Sequence, residues 1–480
     1  MFPGEANGRF GVTFQFIPAS SGYYRSVATF YVENFGCRAT QADGAAIEHQ
    51  FRERGLEPAG TSSQAQIVVL NTCTVTASAD QDARAAIRRI HRENPGCRIV
   101  VTGCYAQRAP EEIAALPGVA QVIGNSHKHQ LADIASRASV PLSNLAAENR
   151  ELRTENSIFI SDIFAHTELL AAPVLEASNE RTRPNLKVQD GCDNRCSFCV
   201  IPYVRGNSRS LPLARILDEV AALVDAGYRE VVISGINLGR WGRDLTPDLR
   251  DRARTFPDLV RSILAETSLE KLRISSVEPM DWSDQLIQLV TESPRIAKHA
   301  HVPMQSGSDR TLRKMHRKYR PWHYREKIAK IRAAMPTAAI GADVMVGFPG
   351  ETDADFEETR RMVELLPFTY LHVFTYSSRP GTPAAGMHDQ IRLPVARERN
   401  RILRELAAKK KLAFMRSSIG KSLEAITLNS ILRDSDGEYT EALTDNYLKL
   451  RLKGRHEPNR WLQAIVEGVR DGMLIGSVGH

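Results

Sequence analysis

Apolar and polar positions change period three times along this chain. Between residues 27 and 140, short apolar runs at 29–33, 67–70 and 98–102 alternate with stretches at 42–54, 79–93 and 110–116, where apolar residues recur every three or four positions. The runs predict strands and the periodic stretches predict helices. Strands that alternate with helices need crossovers, so this unit is expected to be a parallel α/β sheet. Residues 1–26 lack a pattern and read as a flexible leader, and 141–182 are polar and mixed and read as a connecting segment. A second alternation fills 183–415, with strands expected at 186–189, 230–233, 271–274, 300–302, 339–346 and 370–374 and helices such as 213–226 and 353–366. Six β/α units predict a partial or full barrel. From 416 to 480 the period drops to two, with runs at 422–428, 438–442, 447–453 and 464–469, which predicts a small β-barrel. The expected fold class is α/β: an open parallel domain, a (β/α)6 partial barrel, and a small C-terminal β-barrel.

Composition agrees with that division. The chain has 480 residues, 42% hydrophobic and 25% charged, the balance of soluble globular domains. No run reaches the roughly 20 apolar residues that cross a membrane, and the N-terminus lacks a basic stretch followed by an apolar one. The expected compartment is the cytoplasm, where clustered cysteines read as metal ligands or catalytic groups. A formal net charge of +7 permits nucleic-acid binding.

Cysteine placement carries the chemistry. Cys192, Cys196 and Cys199 form C-D-N-R-C-S-F-C, in a loop just after the first strand of the second unit. Three thiolates this close can wrap one face of a [4Fe–4S] cluster and leave one iron open to a ligand. Structural zinc wants four ligands, often as paired CxxC motifs, and no such partner pair follows. Cys37, Cys73 and Cys104 each follow the carboxyl end of an expected parallel strand, and those ends converge on one crevice in open α/β sheets. Isolated cysteines are also common in buried cores. Cys97 precedes its strand, at the opposite end, and is expected to ligate nothing.

The motifs NTCTVTASAD, VTGCYAQ, QDGCDNRCSFCVIPYVRG, HVPMQSGSD and VGFPGET together resemble the radical-SAM methylthiotransferases, a likeness that runs from about residue 27 to the end. The resemblance implies a radical-SAM barrel over 183–415 whose cluster is held by Cys192, Cys196 and Cys199. It also implies a second, auxiliary [4Fe–4S] cluster on Cys37, Cys73 and Cys104 that handles sulfur, and a C-terminal TRAM domain. In that family a radical derived from S-adenosylmethionine replaces an unactivated aromatic C–H by C–SCH3. The reaction draws on a low-potential electron donor and on a sulfur donor that the sequence does not identify. The stretches GCRATQAD and NTCTVTASAD are most similar to the branch acting on N6-threonylcarbamoyladenosine beside the tRNA anticodon. The isopentenyladenosine branch and the branch acting on a ribosomal-protein aspartate are the alternatives. Arg38-Ala39-Thr40 stands where the favoured branch more usually has Lys-Val-Asn.

No side chain is assigned as an acid or base, because the hard chemistry belongs to the cofactors. Residues at strand ends are candidates to hold S-adenosylmethionine. Phe198 lies inside the cysteine loop, Gly235 and Asn237 follow the second barrel strand, Glu278 the third, and Gln305 lies in QSGS. Gly347 follows the fifth strand, and Val373 and Phe374 are on the sixth. Phe198, Val373 and Phe374 are equally readable as core, and Glu278 as a solvated charge. Ten Lys or Arg against Glu398 and Glu405 lie between 392 and 421, and ten against Glu326 between 310 and 332. In the last unit Lys449, Arg451 and Lys453 alternate with leucines, with Arg455 following, so cations are expected on one outer face and against RNA phosphates. Lysines that guard a strand edge are the plainer explanation, since 416–480 holds nine bases and nine acids. An electron carrier with two clusters is a further reading, but a carrier needs neither an open-iron barrel nor a basic appendage.

Overall fold

The computed structural model describes residues 27–36, 38–137, 158–166, 169, 182–245, 255–434 and 437–479. The expected leader, Cys37 and most of 141–182 lie outside them. Among the described residues no helix is long and apolar enough to cross a membrane.

The first unit is a parallel sheet of β1 (Thr29–Asn34), β2 (Glu57–Pro58), β3 (Ile67–Thr72), β4 (Arg98–Gly103), β5 (Val119–Gly124) and β6 (Ile158–Phe159), ordered β2-β1-β3-β4-β5-β6. Alternation along β3 sends Val68 and Leu70 against Ala83, Ile87 and Ile90 of helix Ala77–Glu93, while Ile67 and Val69 face Ile47 and Phe51 of helix Arg38–Glu53. Both faces are covered, so β3 is buried throughout and reads as a continuous apolar run. The strand order reverses between β1 and β3, and ligands bind at the carboxyl ends beside such a switch. Three strands of this sheet escaped the sequence reading, among them the two-residue β2. β5 follows a short helix with no apolar alternation, and β6 is a two-residue strand from the polar connecting stretch that pairs with Val122 and Ile123.

The second unit contains β7 (Asn185–Asp190), β8 (Arg209–Ser210), β9 (Glu230–Gly235), β10 (Lys271–Ile274), β11 (His299–His301), β12 (Ala339–Val346) and β13 (Tyr370–Thr375). The order is β10-β9-β7-β8 in one sheet and β11-β12-β13 in another, joined by the parallel bridges Leu272↔Ile296 and Ser276↔His301. Six parallel strands thus form a partial barrel, open between β7 and β13. One continuous core lies between these strands and their helices.

The last unit, β14 (Ser422–Asp434), β15 (Gly437–Thr444), β16 (Lys449–Lys453), β17 (Trp461–Arg470) and β18 (Met473–Val478), closes as β14-β15-β16-β18-β17. It plugs the amino end of the larger barrel. Arg273 donates to the Asp445 carbonyl at 3.0 Å, Lys271 meets Glu424 at 2.7 Å, and Asn446 donates to the Thr337 carbonyl at 3.1 Å. Tyr447, at φ 67°, packs its ring 4.7 Å from His299 and 5.8 Å from Tyr370. The expected α/β class and three-part architecture are thus observed.

Arg273 also holds the buried Glu230 at 2.5 Å. Arg273→Ala would leave that carboxylate with Arg183 alone, at 3.5 Å. Removing one partner of a buried pair costs about 3–5 kcal/mol. Chemical denaturation should show a loss of that size, with earlier proteolysis of the C-terminal barrel.

Candidate functional site

Two glycines draw the cysteine loops of the first unit together. A Cβ on Gly36 would lie 2.8 Å from the Cys73 Sγ, and one on Gly103 would lie 2.3 Å from the Thr72 carbonyl oxygen. Both have φ near +100°, which suits glycine alone. Gly36 precedes Cys37, Thr72 precedes Cys73 and Gly103 precedes Cys104, so the chain direction of all three loops is set by these contacts. Cys73 and Cys104 are buried. The Cys104 Sγ accepts from the Asn125 Nδ2 at 3.5 Å, and Cys104 packs on Val200 and Val204 of the second unit. Cys97 is partly exposed at the other end of β4, as expected.

In the second unit, Cys192, Cys196 and Cys199 are free thiols in the loop after β7. The three sulfurs do not all lie within 4.8 Å of one another, as the ligand atoms of His301, Asp343 and His372 do. Tetrahedral zinc would hold thiolates about 3.8 Å apart, whereas an iron–sulfur cluster, whose cysteines ligate different irons, spreads them further. Burial pushes the Cys192 thiol up to about 11 and the Cys199 thiol up to about 12. Both are therefore protonated at neutral pH until a cation replaces the proton. The donor set, three thiols in one CxxxCxxC loop, fits an iron–sulfur cluster.

Several expected cofactor residues converge on the same loop. The Gly235 Cβ position lies 2.8 Å from the Gln189 Oε1, so the glycine admits that side chain. Gln189 donates to the Asp190 and Gly191 carbonyls, both at 2.8 Å, and accepts from the Asn237 N–H at 2.7 Å. The Asn237 Nδ2 reaches the Cys192 Sγ at 3.7 Å. Arg317, which sequence reasoning placed in a basic stretch, is 7% exposed. It donates to the Cys196 Sγ at 3.2 Å and pairs with Glu278. Burial raises the Glu278 carboxyl above its ordinary range in spite of that arginine.

A cavity of about 110 Å³ lies between the Cys199 loop and the turn that follows Cys73. Val75 and Thr76, just past Cys73, line it together with Phe198, Cys199, Gln305, Met345 and Phe374. Gln305 adopts φ 60°, and its Oε1 is buried with no hydrogen-bond partner, an acceptor aimed at the space a ligand would fill. Gly347 and Val373 are not brought to this cavity. A Cβ on Gly347 would stand 2.5 Å from the Ala396 Cβ, so that glycine seats helix Leu393–Arg416. Val373 alternates with Phe374 and packs in the barrel core.

Two buried ion networks, unforeseen in the sequence, hold the units together. Asp43 meets Lys128 and Arg205, each at 3.0 Å, and Lys187; Asp190 meets Lys187 and Arg205, each at 2.9 Å. Burial opposes the Asp43 carboxylate, but Lys128, Lys187 and Arg205 outweigh it and hold it far below the ordinary range. On the other side Asp80 takes Arg108 at 3.0 Å and Arg379 at 2.9 Å.

The basic segments divide by their partners. Leu448, Leu450 and Leu452 are buried and the cations of β16 point outward, as expected. Arg451 pairs with Asp471 at 3.2 Å and Lys453 with Glu467 at 2.5 Å, whereas Lys449 and Arg455 are exposed. In helix Leu393–Arg416, Arg399 is buried on Glu351 and Arg401 bridges Glu398 and Glu405. Arg397, Arg404 and Lys411 are exposed at intervals of seven residues, one helical stripe.

Residues 29–124 match the family described as Uncharacterized protein family UPF0004, and 186–363 match the Radical SAM superfamily. The chain is 34% identical over 434 residues to the threonylcarbamoyladenosine tRNA methylthiotransferase MtaB of Aquifex aeolicus, covering 90% of this chain and 99% of that protein. It is 35% identical to the Bacillus subtilis protein of the same name, over 90% and 92%. A tRNA-2-methylthio-N(6)-dimethylallyladenosine synthase of Novosphingobium aromaticivorans is 34% identical, over 84% and 87%. The solved radical S-adenosylmethionine methyltransferase TsrM of Kitasatospora setae, with cobalamin and a [4Fe-4S] cluster bound, superposes with a TM-score of 0.53 at 14% identity, over 75% and 77% of the two chains, a likeness of fold.

Asp43→Asn would strip one carboxylate from three buried cations. A loss of about 3–5 kcal/mol is expected. Hydrogen exchange should quicken in helix Arg38–Glu53 and in β7 together, and a change confined to one of them would refute coupling through Asp43.

Proposed function

This chain belongs to the radical-SAM tRNA methylthiotransferases, and from that membership we propose that it converts N6-threonylcarbamoyladenosine next to the tRNA anticodon, at adenosine 37, into its 2-methylthio derivative. The observation that carries the reading is the shared cavity. Residues just past Cys73 and residues flanking Cys199 line one space, so a base held there lies against the Cys199 loop and beside the turn that follows Cys73. The names of the Aquifex aeolicus and Bacillus subtilis relatives favour the threonylcarbamoyl substrate over the dimethylallyl one. A tRNA substrate places the work in the cytoplasm.

In this reading Cys192, Cys196 and Cys199 hold a cluster that binds S-adenosylmethionine, and Cys37, Cys73 and Cys104 hold an auxiliary [4Fe–4S] cluster. When bound, these groups supply a carbon radical able to take an unactivated hydrogen, and the sulfur and methyl to be installed. The protein's own residues orient and exclude water. Phe198 and Phe374 flank the cavity as flat apolar surfaces, and Gln305 offers an acceptor. Arg317 and Asn237 hydrogen-bond the sulfurs of Cys196 and Cys192, and such bonds tune a cluster's potential. The reaction draws on a low-potential electron donor and a sulfur donor.

RNA contact is assigned to the last unit. Lys449 and Arg455 are the open cations of its face, with Arg451 and Lys453 reachable once their acids are displaced. The stripe Arg397, Arg404 and Lys411 continues from it. That helix has 24 residues, about 36 Å at 1.5 Å each, and runs from Met415, in the core of the small barrel, to Ala396, beside Gly347 near the catalytic mouth. It offers phosphates a path between the two ends.

Mass spectrometry of tRNA nucleosides should show the methylthio form of threonylcarbamoyladenosine disappearing, and its precursor accumulating, when this chain is absent. An unchanged profile would refute the substrate. For RNA binding, the double variant Lys449→Ala, Arg455→Ala should flatten the slope of log binding constant against log salt by about 0.7–0.9 for each phosphate that is no longer neutralised. An unchanged slope would place the RNA elsewhere.

A further inference from the structure

Below the cavity, inside the barrel, lies a polar layer that none of the chemistry above uses. Strand pairing sets Met345 beside Phe374, Asp343 beside His372, and Gly341 beside Tyr370. Side chains alternate along a strand, so these three pairs stack as layers on one face. The top layer, Met345 and Phe374, lines the cavity. The middle layer joins Asp343 and His372 to His301, whose Nε2 lies 3.5 Å from the Asp343 Oδ1. Its three ligand atoms lie within 4.8 Å of one another. The bottom layer, Tyr370 over Gly341, is closed by Tyr447 and by the hydrogen bond of His299 to the Tyr370 hydroxyl at 2.7 Å.

The Gln305 Oε1 is buried with no hydrogen-bond partner, and the His301 Nε2 meets Asp343 at 3.5 Å without an aligned hydrogen bond. His301 is 8% exposed, and so is Gln305. Orphaned polar atoms at the floor of a cavity mark a place where a ligand completes the bonding. His372 on the same layer is exposed, so the layer is reachable.

We propose that His301, Asp343 and His372 form the pocket that selects the N6 substituent of the adenosine, and that they select a polar, carboxylate-bearing substituent over a hydrocarbon one. The inference rests on the reading that the substrate is an N6-modified adenosine. In a purine, C2 and C6 are separated by one ring atom, so an N6 arm starts close to the reacting carbon and occupies the same cavity. A threonylcarbamoyl arm brings a carboxylate, a hydroxyl and a urea N–H. The imidazoles can donate to the carboxylate, and Asp343 can accept from the N–H or hydroxyl. A dimethylallyl arm offers no hydrogen bond and leaves the Gln305 Oε1 unpaired. Sites built to hydrogen-bond a substrate group reject the analogue that lacks it far more strongly than apolar pockets reject an added polar group.

The test uses the cluster-loaded enzyme and one tRNA prepared in two forms, with threonylcarbamoyl or dimethylallyl on the same adenosine. The kcat/KM for each form is normalised to substrate-independent cleavage of S-adenosylmethionine by the same preparation. His372→Phe, at an exposed position, and His301→Leu are compared with the parent. Each variant should lower the ratio of threonylcarbamoyl to dimethylallyl turnover by tenfold or more, chiefly through KM for the threonylcarbamoyl form. An unchanged ratio in a folded His372→Phe variant, on a parent that prefers threonylcarbamoyl, overturns the pocket. So does a stoichiometric divalent metal beyond the cluster iron that His372→Phe removes without altering the ratio. A parent that turns over only the dimethylallyl form overturns the substrate reading itself, a separate result.

Discussion

The structure depends on salt bridges between units that share no sheet. The larger barrel is open between β7 and β13, and the first unit bridges that gap. On the β7 side its Asp43 is shared by Lys128, Lys187 and Arg205. On the β13 side its Asp80 holds Arg379, which also donates to the Thr74 carbonyl at 3.1 Å. Desolvating so many charges is costly, and a buried ion pair is weak ground for stability by itself. What it does give is direction, because each ion has one arrangement that pairs all the others. Apolar surfaces would allow the two units to slide.

That direction matters because every member of the network stands near a cysteine loop. Asp43 lies in the helix that follows Cys37, and Asp190 immediately precedes the loop of Cys192. Arg205 closes the short helix after Cys199, and Asn125 spans from the Cys104 sulfur to the Val204 carbonyl, at 2.7 Å. A shift of one unit would change the distance between the two sets of thiols, and a reaction that relies on both tolerates little of that. The positive-φ glycines act inside the first unit as the ions act between units: each removes a Cβ where two loops must touch.

Much of this was legible in the sequence, for identifiable reasons. Strand β3 opens on Ile67–Leu70, an unbroken apolar run that announces itself, and the cysteine spacing is local. The leucine–cation alternation of β16 is a two-residue period and survived intact. What stayed hidden depends on long-range pairing. Asp43 and Lys187 are 144 residues apart, and no local pattern connects them. Arg317 sat in a run of ten bases and looked like surface, yet it is buried on Cys196 and Glu278. Arg310 is likewise taken by Asp355, and the Arg332 guanidinium by the carbonyls of Pro336, Ala338 and Pro367. Counting charge gave the sign of the surface and not its location. Gly347 and Val373 show the converse error: a strand end is where ligands bind, but glycine and valine there also serve packing.

The cavity itself argues for the class of reaction. Its lining is Val75, Thr76, Phe198, Cys199, Val200, Ile201, Gln305, Met345, Phe374, Thr375, Tyr376 and Ser377. Apart from Cys199 and Tyr376 none of these side chains titrates. Cys199 is committed to the cluster in the proposed reading, and burial raises the Tyr376 hydroxyl, so that hydroxyl holds its proton at neutral pH. General acid–base catalysis works best with a group whose pKa lies near the operating pH, and this wall supplies none. A space walled by aromatics and aliphatics, with cysteine loops at its edge, suits the opposite task. It shields a reactive carbon radical from water. The titratable groups have been moved one layer down the barrel, to His301, Asp343 and His372, where they can bind the far end of a substrate without entering the chemistry at the top.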